Sequence, residues 1–439
     1  MDHGYNESEP RRSGSFSSSM RRNSFVLLRG GSHNEIDDEN ERRSVSEAGD
    51  IGCRELNSKR HSGNTSSREN VVVPIHGHSF DELPGSPASP GVILHDKDHN
   101  EEYRKELPMF LMTISSLIHL AAFGILGVLS RYLLEKLFGP QVAGVTNADS
   151  ILYTDLFPNM VGSFLMGWFG PVFKGDISKF SPELAVGLTT GYLGSLTTFS
   201  GWNQNMLELS VNNHWVYSVF GFLLGLFLVA YSFIIGVTTA TCFKQAIYKT
   251  NVCSKSGLSQ VNNLGSQSIL LLVMIALFGL LWGGSVALLK KDFNGDVSTS
   301  RLWFGCVVGP VGVWIRFYLA QLNGKGLGKK EIMKWMPFGT LIANVSACCI
   351  MAAFATMKKS VSFRYLIVNG KHFDVVASGI QFGLCGCLST VSTFIAEYRA
   401  MEESEHPWRA YVYALTTIII SFALGTLIYS VPVWTKGWS

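Results

Sequence analysis

Charged residues are unevenly spread along this chain of 439 residues, in which Asp, Glu, Lys and Arg make up only 16%. Residues 1–105 are rich in Ser, Arg, Asn, Glu and Asp, whereas long stretches after Pro108 carry almost no charge. A segment of the first kind buries too little apolar surface to offset the entropy of ordering. We therefore predict a disordered tail over residues 1–105, and it lacks the apolar core of a cleaved signal peptide.

Several motifs that would indicate chemistry are missing. The eight cysteines form no CxxC pair, and most lie in apolar segments, where a free thiol behaves as a small hydrophobe. A metal-binding or disulfide framework is therefore not expected. P-loop, HExxH and GxSxG motifs are also missing, since GLTTGYLGSLTT (187–198) lacks the lysine of a phosphate-binding loop. The sequence predicts neither an enzyme nor a nucleic-acid partner.

The sequence instead contains nine apolar runs that approach or exceed the roughly 20 residues needed to cross a bilayer. They lie at about 109–130, 156–173, 184–206, 215–243, 268–289, 302–322, 335–357, 375–396 and 410–434. We therefore predict an all-α polytopic membrane protein with nine transmembrane helices surrounded by lipid.

The runs on either side of the fifth helix form an internal repeat. Arg131 precedes Asn159 by 28 residues, and Arg316 precedes Asn344 by the same distance. Each arginine follows a pair of spaced glycines, and the last helix of each half contains SFIIG (232–236) or SFALG (421–425). The predicted domains are a four-helix domain over 106–245, a linker with one helix over 246–295, and a second four-helix domain over 296–439.

The parity of the helices predicts an inverted arrangement, because four helices and one linking helix leave the second half upside down relative to the first. Lysine is concentrated on one side of the first half, which predicts a cytoplasmic N-terminus. The lysine and arginine residues of the second half fall on both sides and do not decide its orientation. The 4+1+4 order therefore depends on the parity.

Each half also contains a hydrophobic helix interrupted by glycines and hydroxyl residues. The two stretches are GYLGSLTTF (191–199) and GLCGCLSTV (383–391). Such composition propagates a helix poorly, and a broken helix inside a membrane is tolerated only where protein or a cavity satisfies its backbone. Two copies in inverted halves predict two halves of one site.

The polar residues of the apolar runs are mostly neutral donors, which suit a small anion better than a cation. The expected pore-lining residues are Asn159, Asn344, Phe199, Phe394, Thr198, Ser392, Thr393, Ser232 and Ser421. Phenylalanine contributes because its ring edge carries positive charge density. Other interpretations remain open: the Asn, Ser and Thr residues often serve only as contacts between helices, and Arg131 and Arg316 lie where they could reach lipid headgroups.

The order GxxGxxxR, NxxGSF and GxLTTFS resembles the Fluc/FEX fluoride channel family of CrcB-like proteins, over about residues 108–436. Eukaryotic members have two fused domains joined by an inverting helix. The resemblance implies Arg131, Arg316 and Glu397 at a vestibule or entrance, with Asn205 in place of Glu397 in the first repeat. It also implies a structural Na⁺ at the domain interface, bound by backbone carbonyls of Gly194, Thr197, Gly386 and Ser389.

The same resemblance implies a passive, selective channel that exports cytoplasmic fluoride across the plasma membrane. One pore would combine Phe199 with Phe394, whereas the other would be degenerate, with Val391 and Trp202 at the aromatic positions. The chain would work as a monomer built like a dimer. The alternative is a coupled secondary transporter for another small solute, which would need a driving-ion site, and the apolar runs contain no carboxylate to provide one.

Overall fold

A computed structural model of the protein describes residues 108–249, 264–293, 296–326, 333–364 and 370–438, and all regular elements within these ranges are helices. The tail predicted over residues 1–105 lies outside the described residues. The ranges cover most of the two predicted four-helix domains and the helix that links them.

The first repeat consists of two long helices and two divided segments. Its elements are α1 (Met109–Phe138), α2 (Leu156–Gly167), α3 (Lys174–Phe180), α4 (Pro182–Val186), α5 (Gly194–Leu196), α6 (Phe199–Val211) and α7 (Trp215–Lys249). A π-helical turn, Trp168–Val172, contains Pro171 and separates α2 from α3. The side chain of Ser181 accepts a hydrogen bond from the Leu184 N–H and so begins α4.

The linking helix and the second repeat follow the same plan. Their elements are α8 (Leu264–Asp292), α9 (Val297–Ala320), α10 (Phe338–Arg364), α11 (Gly370–Gly379), α12 (Gly386–Leu388), α13 (Ser392–Glu402), α14 (Trp408–Gly425) and α15 (Val431–Lys436). π-helical turns precede both short helices at the centre: Gly187–Leu193 leads into α5, and Ile380–Cys385 leads into α12.

Seven helical stretches among the described residues are long and apolar enough to cross a membrane. They are Phe110–Phe138, Trp215–Lys249, Gly265–Asp292, Val297–Ala320, Phe338–Ser360, His372–Glu402 and Trp408–Lys436. The other two predicted runs, 156–173 and 184–206, are divided into shorter helices by the break near Pro171 and by the extended Ser181 and Thr197. The protein is thus all-helical and polytopic. Seven of the nine predicted runs lie in long helical stretches, of which His372–Glu402 contains an extended residue at Ser389, and the other two runs form shorter helices.

The two repeats pack together through their first helices. Helix α1 packs against α9, and each also contacts the broken segment of its own repeat. The linking helix α8 lies against α1 and α9, but only 17% of its most apolar window is buried. An apolar helix exposed to this extent is suited to contact with lipid.

Candidate functional site

Two helices end at the centre of the molecule, one from each repeat. Helix α5 ends at Thr197 and helix α12 ends at Ser389, and both residues have extended backbone, with ψ of 149° and 157°. The two positions are 192 residues apart, as are the starts of the two short helices that end there, Gly194 and Gly386. The breaks predicted from the two sequence stretches therefore lie at corresponding places in the two repeats.

An asparagine bridges each break. The N–H of Thr198 donates to Asn159 Oδ1 at 2.8 Å, and Asn159 Nδ2 donates back to the Thr198 carbonyl at 3.2 Å. Asn344 makes the same two bonds to Thr390, again at 2.8 and 3.2 Å. Both asparagines are fully buried. The predicted pore asparagines therefore also hold the broken backbone in place.

These bridges free carbonyl groups at each break. In a continuous helix, the N–H of Thr198 would donate to the Gly194 carbonyl and that of Gly201 to the Thr197 carbonyl. Here the first donates to Asn159, and the second donates to Thr198 Oγ1 at 3.2 Å.

In the second repeat, the N–H of Thr390 donates to Asn344 and that of Thr393 donates to Thr390 Oγ1 at 3.4 Å, which frees the carbonyls of Gly386 and Ser389. These are the four carbonyl groups expected to bind sodium. Carbonyl oxygens released by helix breaks are the type of ligand that a hard cation prefers.

Hydroxyl groups at the two breaks cross from one repeat to the other. Thr197 Oγ1 accepts hydrogen bonds from the N–H groups of Val391 and Ser392, at 3.2 and 3.1 Å. Ser389 Oγ likewise accepts from the N–H of Ser200 at 3.0 Å. Each break therefore satisfies orphan N–H groups at the start of the other repeat's helix.

The two arginines are buried at the interface of the repeats. Arg131 donates to the Phe382 carbonyl at 2.7 Å, and Arg316 donates to the Thr190 carbonyl at the same distance. They are only 1% and 4% exposed, so the alternative that they reach toward headgroups is wrong.

Each guanidinium also lies against a glycine of the opposite break. A Cβ atom on Gly194 would lie 2.0 Å from Arg316 Nη1, and one on Gly386 would lie 2.0 Å from Arg131 Nη1. Gly194 has ordinary helical backbone, with φ of −68°. Glycine is needed there because of this close approach and not because of its backbone freedom.

The aromatic residues of the predicted intact pore meet across the repeats. The rings of Phe199 and Phe394 have centroids 5.7 Å apart at 58°, and Phe394 also lies 5.1 Å from Tyr413 on α14. All three side chains are fully buried. Helix α10, which contains Asn344, packs against both α6 and α14. The elements that hold Phe199, Asn344 and Tyr413 are thus neighbours.

Helix α14 contributes a polar row that the sequence analysis recognised only in part. Tyr413, Thr417 and Ser421 recur every four residues and are fully buried, although only Ser421 was predicted. The Ser421 hydroxyl has no hydrogen-bond partner among the described residues. The four-residue spacing of hydroxyl residues in an apolar helix was the signal that would have revealed the other two.

The positions of the first repeat that correspond to this aromatic and hydroxyl cluster hold different side chains. Trp202 stacks on Tyr153 with ring centroids 5.7 Å apart, contacts Phe222, and donates through Nε1 to the Gly221 carbonyl at 3.3 Å. Ser232 donates to the Leu228 carbonyl at 2.8 Å. Leu224 and Leu228 take the places of Tyr413 and Thr417 in the alignment of the repeats. This side therefore offers fewer free donors.

The remaining predicted pore hydroxyls lie close to the breaks. Thr198 Oγ1 caps α6, Ser392 Oγ donates to the Leu193 carbonyl at 3.2 Å, and Thr393 Oγ1 accepts from Thr390 at 3.5 Å. Val391 is fully buried beside them. These groups therefore contribute to the contact between the repeats.

A carboxylate lies beside this site, although the apolar runs themselves contain none. Glu397 lies one turn after Phe394 and is fully buried. It accepts hydrogen bonds from Thr340 at 2.7 Å, Asn323 at 3.1 Å and Tyr413 at 2.7 Å. A buried carboxylate with three donors is well satisfied. Glu397 lies just past the end of its apolar run and is the glutamate that the family resemblance placed at a vestibule or entrance.

An open cavity of about 170 Å³ lies at the other end of the site. Its walls come from both repeats, and Arg131 and Asn205 are among the residues that line it. Asn205 corresponds to Glu397 in the alignment, and its Nδ2 contacts Asp155 Oδ2 at 3.5 Å. The cavity reaches Thr198, which contacts Asn159 at the first break.

Taken together, these features define a duplicated helical membrane protein with a pair of broken helices at its centre. The profile of the family described as "CrcB-like protein, Camphor Resistance (CrcB)" matches the chain twice, over residues 118–242 and 303–428. The chain belongs to this family, and the two matches correspond to the two repeats.

Curated relatives include proteins of fungi and bacteria. Fluoride export protein 1 of Neurospora crassa is 26% identical over 74% of this chain and 68% of its own length. Fluoride export protein 1 of Saccharomyces cerevisiae is 29% identical over 32% of this chain and 36% of its own. The fluoride-specific ion channel FluC of Shewanella sediminis is 32% identical over 28% of this chain and 94% of its own. No solved structure matches the chain.

Proposed function

We propose that the protein is a passive, selective fluoride channel that exports cytoplasmic fluoride across the plasma membrane. The family match in both repeats and the names of the relatives support this function. Fluoride that enters a cell as neutral HF ionises there, and the inside-negative potential then drives the anion out. A channel therefore suffices, with no enzymatic step and no coupled ion.

The observation that carries the proposal is the meeting of Phe199 and Phe394 beside the polar face of α14. A dehydrated fluoride is strongly penalised in a low-dielectric interior. Ring edges provide positive charge density, and so does the Ser421 hydroxyl, which has no hydrogen-bond partner among the described residues. Such partial charges stabilise fluoride but, unlike a full cationic charge, do not bind it too tightly for release.

One pore conducts in this proposal, and the other side is structural. Asn159 gives its second N–H to the Tyr153 hydroxyl at 3.4 Å, whereas Phe338 takes the place of Tyr153 in the second repeat and has no hydroxyl. Asn344 therefore has a donor for fluoride that Asn159 uses internally. Trp202 further fills the side of Asn159 and Val391 with a bulky ring.

A sodium ion between the breaks completes the proposed channel. The carbonyl groups of Gly194, Thr197, Gly386 and Ser389 would bind it, since asparagine and threonine side chains take the N–H groups that would otherwise satisfy them. The ion would hold the two repeats together by neutralising carbonyl dipoles that both breaks contribute.

The proposed topology is nine spans in a 4+1+4 order, with a cytoplasmic N-terminus and inverted repeats. The contacts between the repeats support inversion, because each arginine contacts the broken segment of the other repeat in a reciprocal pattern. A single chain then contains the whole site and works as a monomer in the lipid bilayer.

Fluoride efflux from liposomes tests the function directly. Vesicles that contain the purified protein and potassium fluoride are treated with a potassium ionophore, and a fluoride electrode follows the release. We expect rapid release of fluoride and little release of chloride from matched vesicles. Absence of fluoride release, with a reconstituted FluC channel active in the same vesicles, would refute the proposal. Dependence on an imposed proton or sodium gradient would indicate a coupled transporter instead.

A further inference from the structure

The cavity at the Asn205 end has an unusual charge composition. Three cationic and three carboxylate side chains line it: Arg131, Arg301, Lys358, Glu135, Asp155 and Glu208. The three cationic and three carboxylate lining residues balance one another when all six are ionised, and Asp374 behind the lining pairs with Lys358. Arg131 is 1% exposed, and its Nε has no hydrogen-bond partner among the described residues, so the cavity retains a donor for an anion.

Two of the carboxyl groups are in direct contact. Asp155, which precedes α2, lies within hydrogen-bonding distance of Glu135 on α1 and is only 7% exposed. Arg301 on α9 forms an ion pair with Glu135 at 3.2 Å. The negative charge of Glu135 raises the energy of the ionised form of the buried Asp155 carboxyl group.

The charged groups that line the cavity around this pair come from four helices, and Asp374 lies on a fifth, α11. Arg131 shares helix α1 with Glu135, Arg301 comes from α9, Glu208 from α6 and Lys358 from α10. Lys358 is paired with Asp374 at 2.9 Å. Burial and then the negative charge of Glu135 raise the pKa of Asp155 well above its ordinary value, whereas Arg131 and Arg301 oppose this shift.

The cavity lies along the pathway proposed to conduct. Met351 and Lys358 line it, and they follow Asn344 on α10 at intervals of seven residues, on the same face of the helix. Thr198 and Gly201 of the opposite wall flank Phe199. An anion passing Phe199 and Asn344 therefore meets this cavity at one end of its path.

We propose that the Glu135–Asp155 pair is a proton-controlled gate on anion flux, which is faster when the pair holds a proton. The inference rests on the proposed channel function. One bound proton makes the cavity more positive by one charge, which raises the local concentration of fluoride. Loss of this proton removes the attraction and adds a carboxylate beside the path.

The test is the initial rate of ionophore-triggered fluoride efflux at equal pH on both sides, from about pH 5.5 to about pH 8. Protein-free vesicles measured at each pH correct for permeation by HF. We expect the unaltered protein to be roughly threefold faster or more at the acidic end. Asp155→Asn should be fast throughout, because its side chain stays neutral.

Two further variants make the result decisive. Asp149→Asn removes an exposed carboxylate from the same loop and should keep the pH dependence of the unaltered protein. Glu135→Gln should move the midpoint to lower pH, since Glu135 raises the pKa of Asp155. Glu135→Gln still tests the proposal if Asp155→Asn does not fold.

Two outcomes overturn the proposal without affecting the channel itself: flux that is independent of pH, and an unchanged midpoint in both cavity variants. Failure of the unaltered protein to conduct at any pH would instead refute the proposed function. The two failures are therefore distinguishable.

Discussion

The two central asparagines make the same hydrogen bonds to the backbone, but one neighbouring residue decides whether the last N–H of each is free to bind an anion. Asn159 and Asn344 bridge their breaks with matching hydrogen bonds. Tyr153 takes the remaining N–H of Asn159, whereas Phe338 at the corresponding position has no acceptor. An amide that is fully bonded within the protein cannot replace water around an ion. A single hydroxyl thus distinguishes the two sides.

The phenylalanine pair provides the most direct test at the scale of single residues. Phe199→Ile or Phe394→Ile should lower the fluoride efflux rate more than tenfold, because an aliphatic chain presents no positive ring edge to a dehydrated anion. A tenfold loss corresponds to about 1.4 kcal/mol in the barrier. Efflux per reconstituted molecule is the measurement.

Val391→Ala is the matched control, since it changes the corresponding position of the other side and should leave efflux nearly unchanged. Trp202 is a poorer control because its ring fills the space between Tyr153 and Phe222, so that truncation would destabilise the fold. Equal losses in Phe199→Ile and Val391→Ala would contradict a single conducting pore.

The glycines beneath the arginines predict a loss of stability. Gly194→Ala would place a methyl group against the Arg316 guanidinium, which is fixed by its bonds to Thr190 and Cys387. Overpacking of this kind costs about 1–3 kcal/mol. We expect a lower midpoint of thermal unfolding in detergent. Size-exclusion chromatography of samples heated to increasing temperatures measures this midpoint.

A control for this change is Gly279→Ala on α8, where a Cβ atom meets nothing within 4 Å. Its midpoint should stay the same or rise slightly, because alanine favours a helix. If Gly194→Ala were as stable as Gly279→Ala, the arginine would not be the reason for the glycine.

At the scale of elements, each broken helix is completed by the other repeat. Thr197 accepts two N–H groups at the start of α13, and Ser389 accepts one at the start of α6. Both acceptors are fully buried. Buried helix ends need such partners, so neither break is stable without its counterpart.

Thr197→Ser and Thr197→Val separate the role of the hydroxyl from that of side-chain volume. Serine keeps the acceptor for Val391 and Ser392, so that stability and efflux should remain close to those of the unaltered protein. Valine leaves two buried N–H groups unsatisfied, at a cost of about 1–3 kcal/mol each. The thermal midpoint and the efflux rate of both variants are the measurements. Equal behaviour would show that the cross-repeat bonds contribute little.

The sequence predicted the repeats and the positions of the breaks well, because glycine and hydroxyl residues are local signals within apolar runs. It did not predict the π-helical turn at Pro171 in the run 156–173 or the extended Ser181 just before the run 184–206, since hydropathy does not report such features. The polar row of Tyr413 and Thr417 was missed because each residue looks ordinary until α14 is placed beside Phe394.

Long-range contacts were the other gap in prediction from sequence. From the apolar pattern alone, Arg131 and Arg316 could lie either near lipid headgroups or in the interior of the protein. Only the packing of α1 against α9 shows that their partners are the carbonyl groups of Phe382 and Thr190. Likewise, Asp155 and Glu397 come from regions that look like loop or helix end, and tertiary contacts bury both.

At the scale of the whole molecule, the reciprocal contacts predict that the site forms only when both repeats are present in opposite orientations. We expect fragments 1–249 and 250–439, expressed together in a fluoride-sensitive host, to restore fluoride tolerance, whereas either fragment alone should not. The second fragment contains α8, which gives its repeat the required orientation. Growth on fluoride and copurification of the fragments are the measurements.

The decisive comparison replaces the second fragment with residues 296–439, which lack α8. Removing one membrane crossing places the start of α9 on the opposite side, so that the repeats run parallel and Arg316 can no longer reach Thr190. This pair should neither copurify nor restore growth, even at matched expression. A fragment that keeps 250–439 but carries an unrelated apolar helix in place of α8 should restore both, because orientation is what the linking helix supplies. Equal rescue without any linking helix would contradict the inverted arrangement.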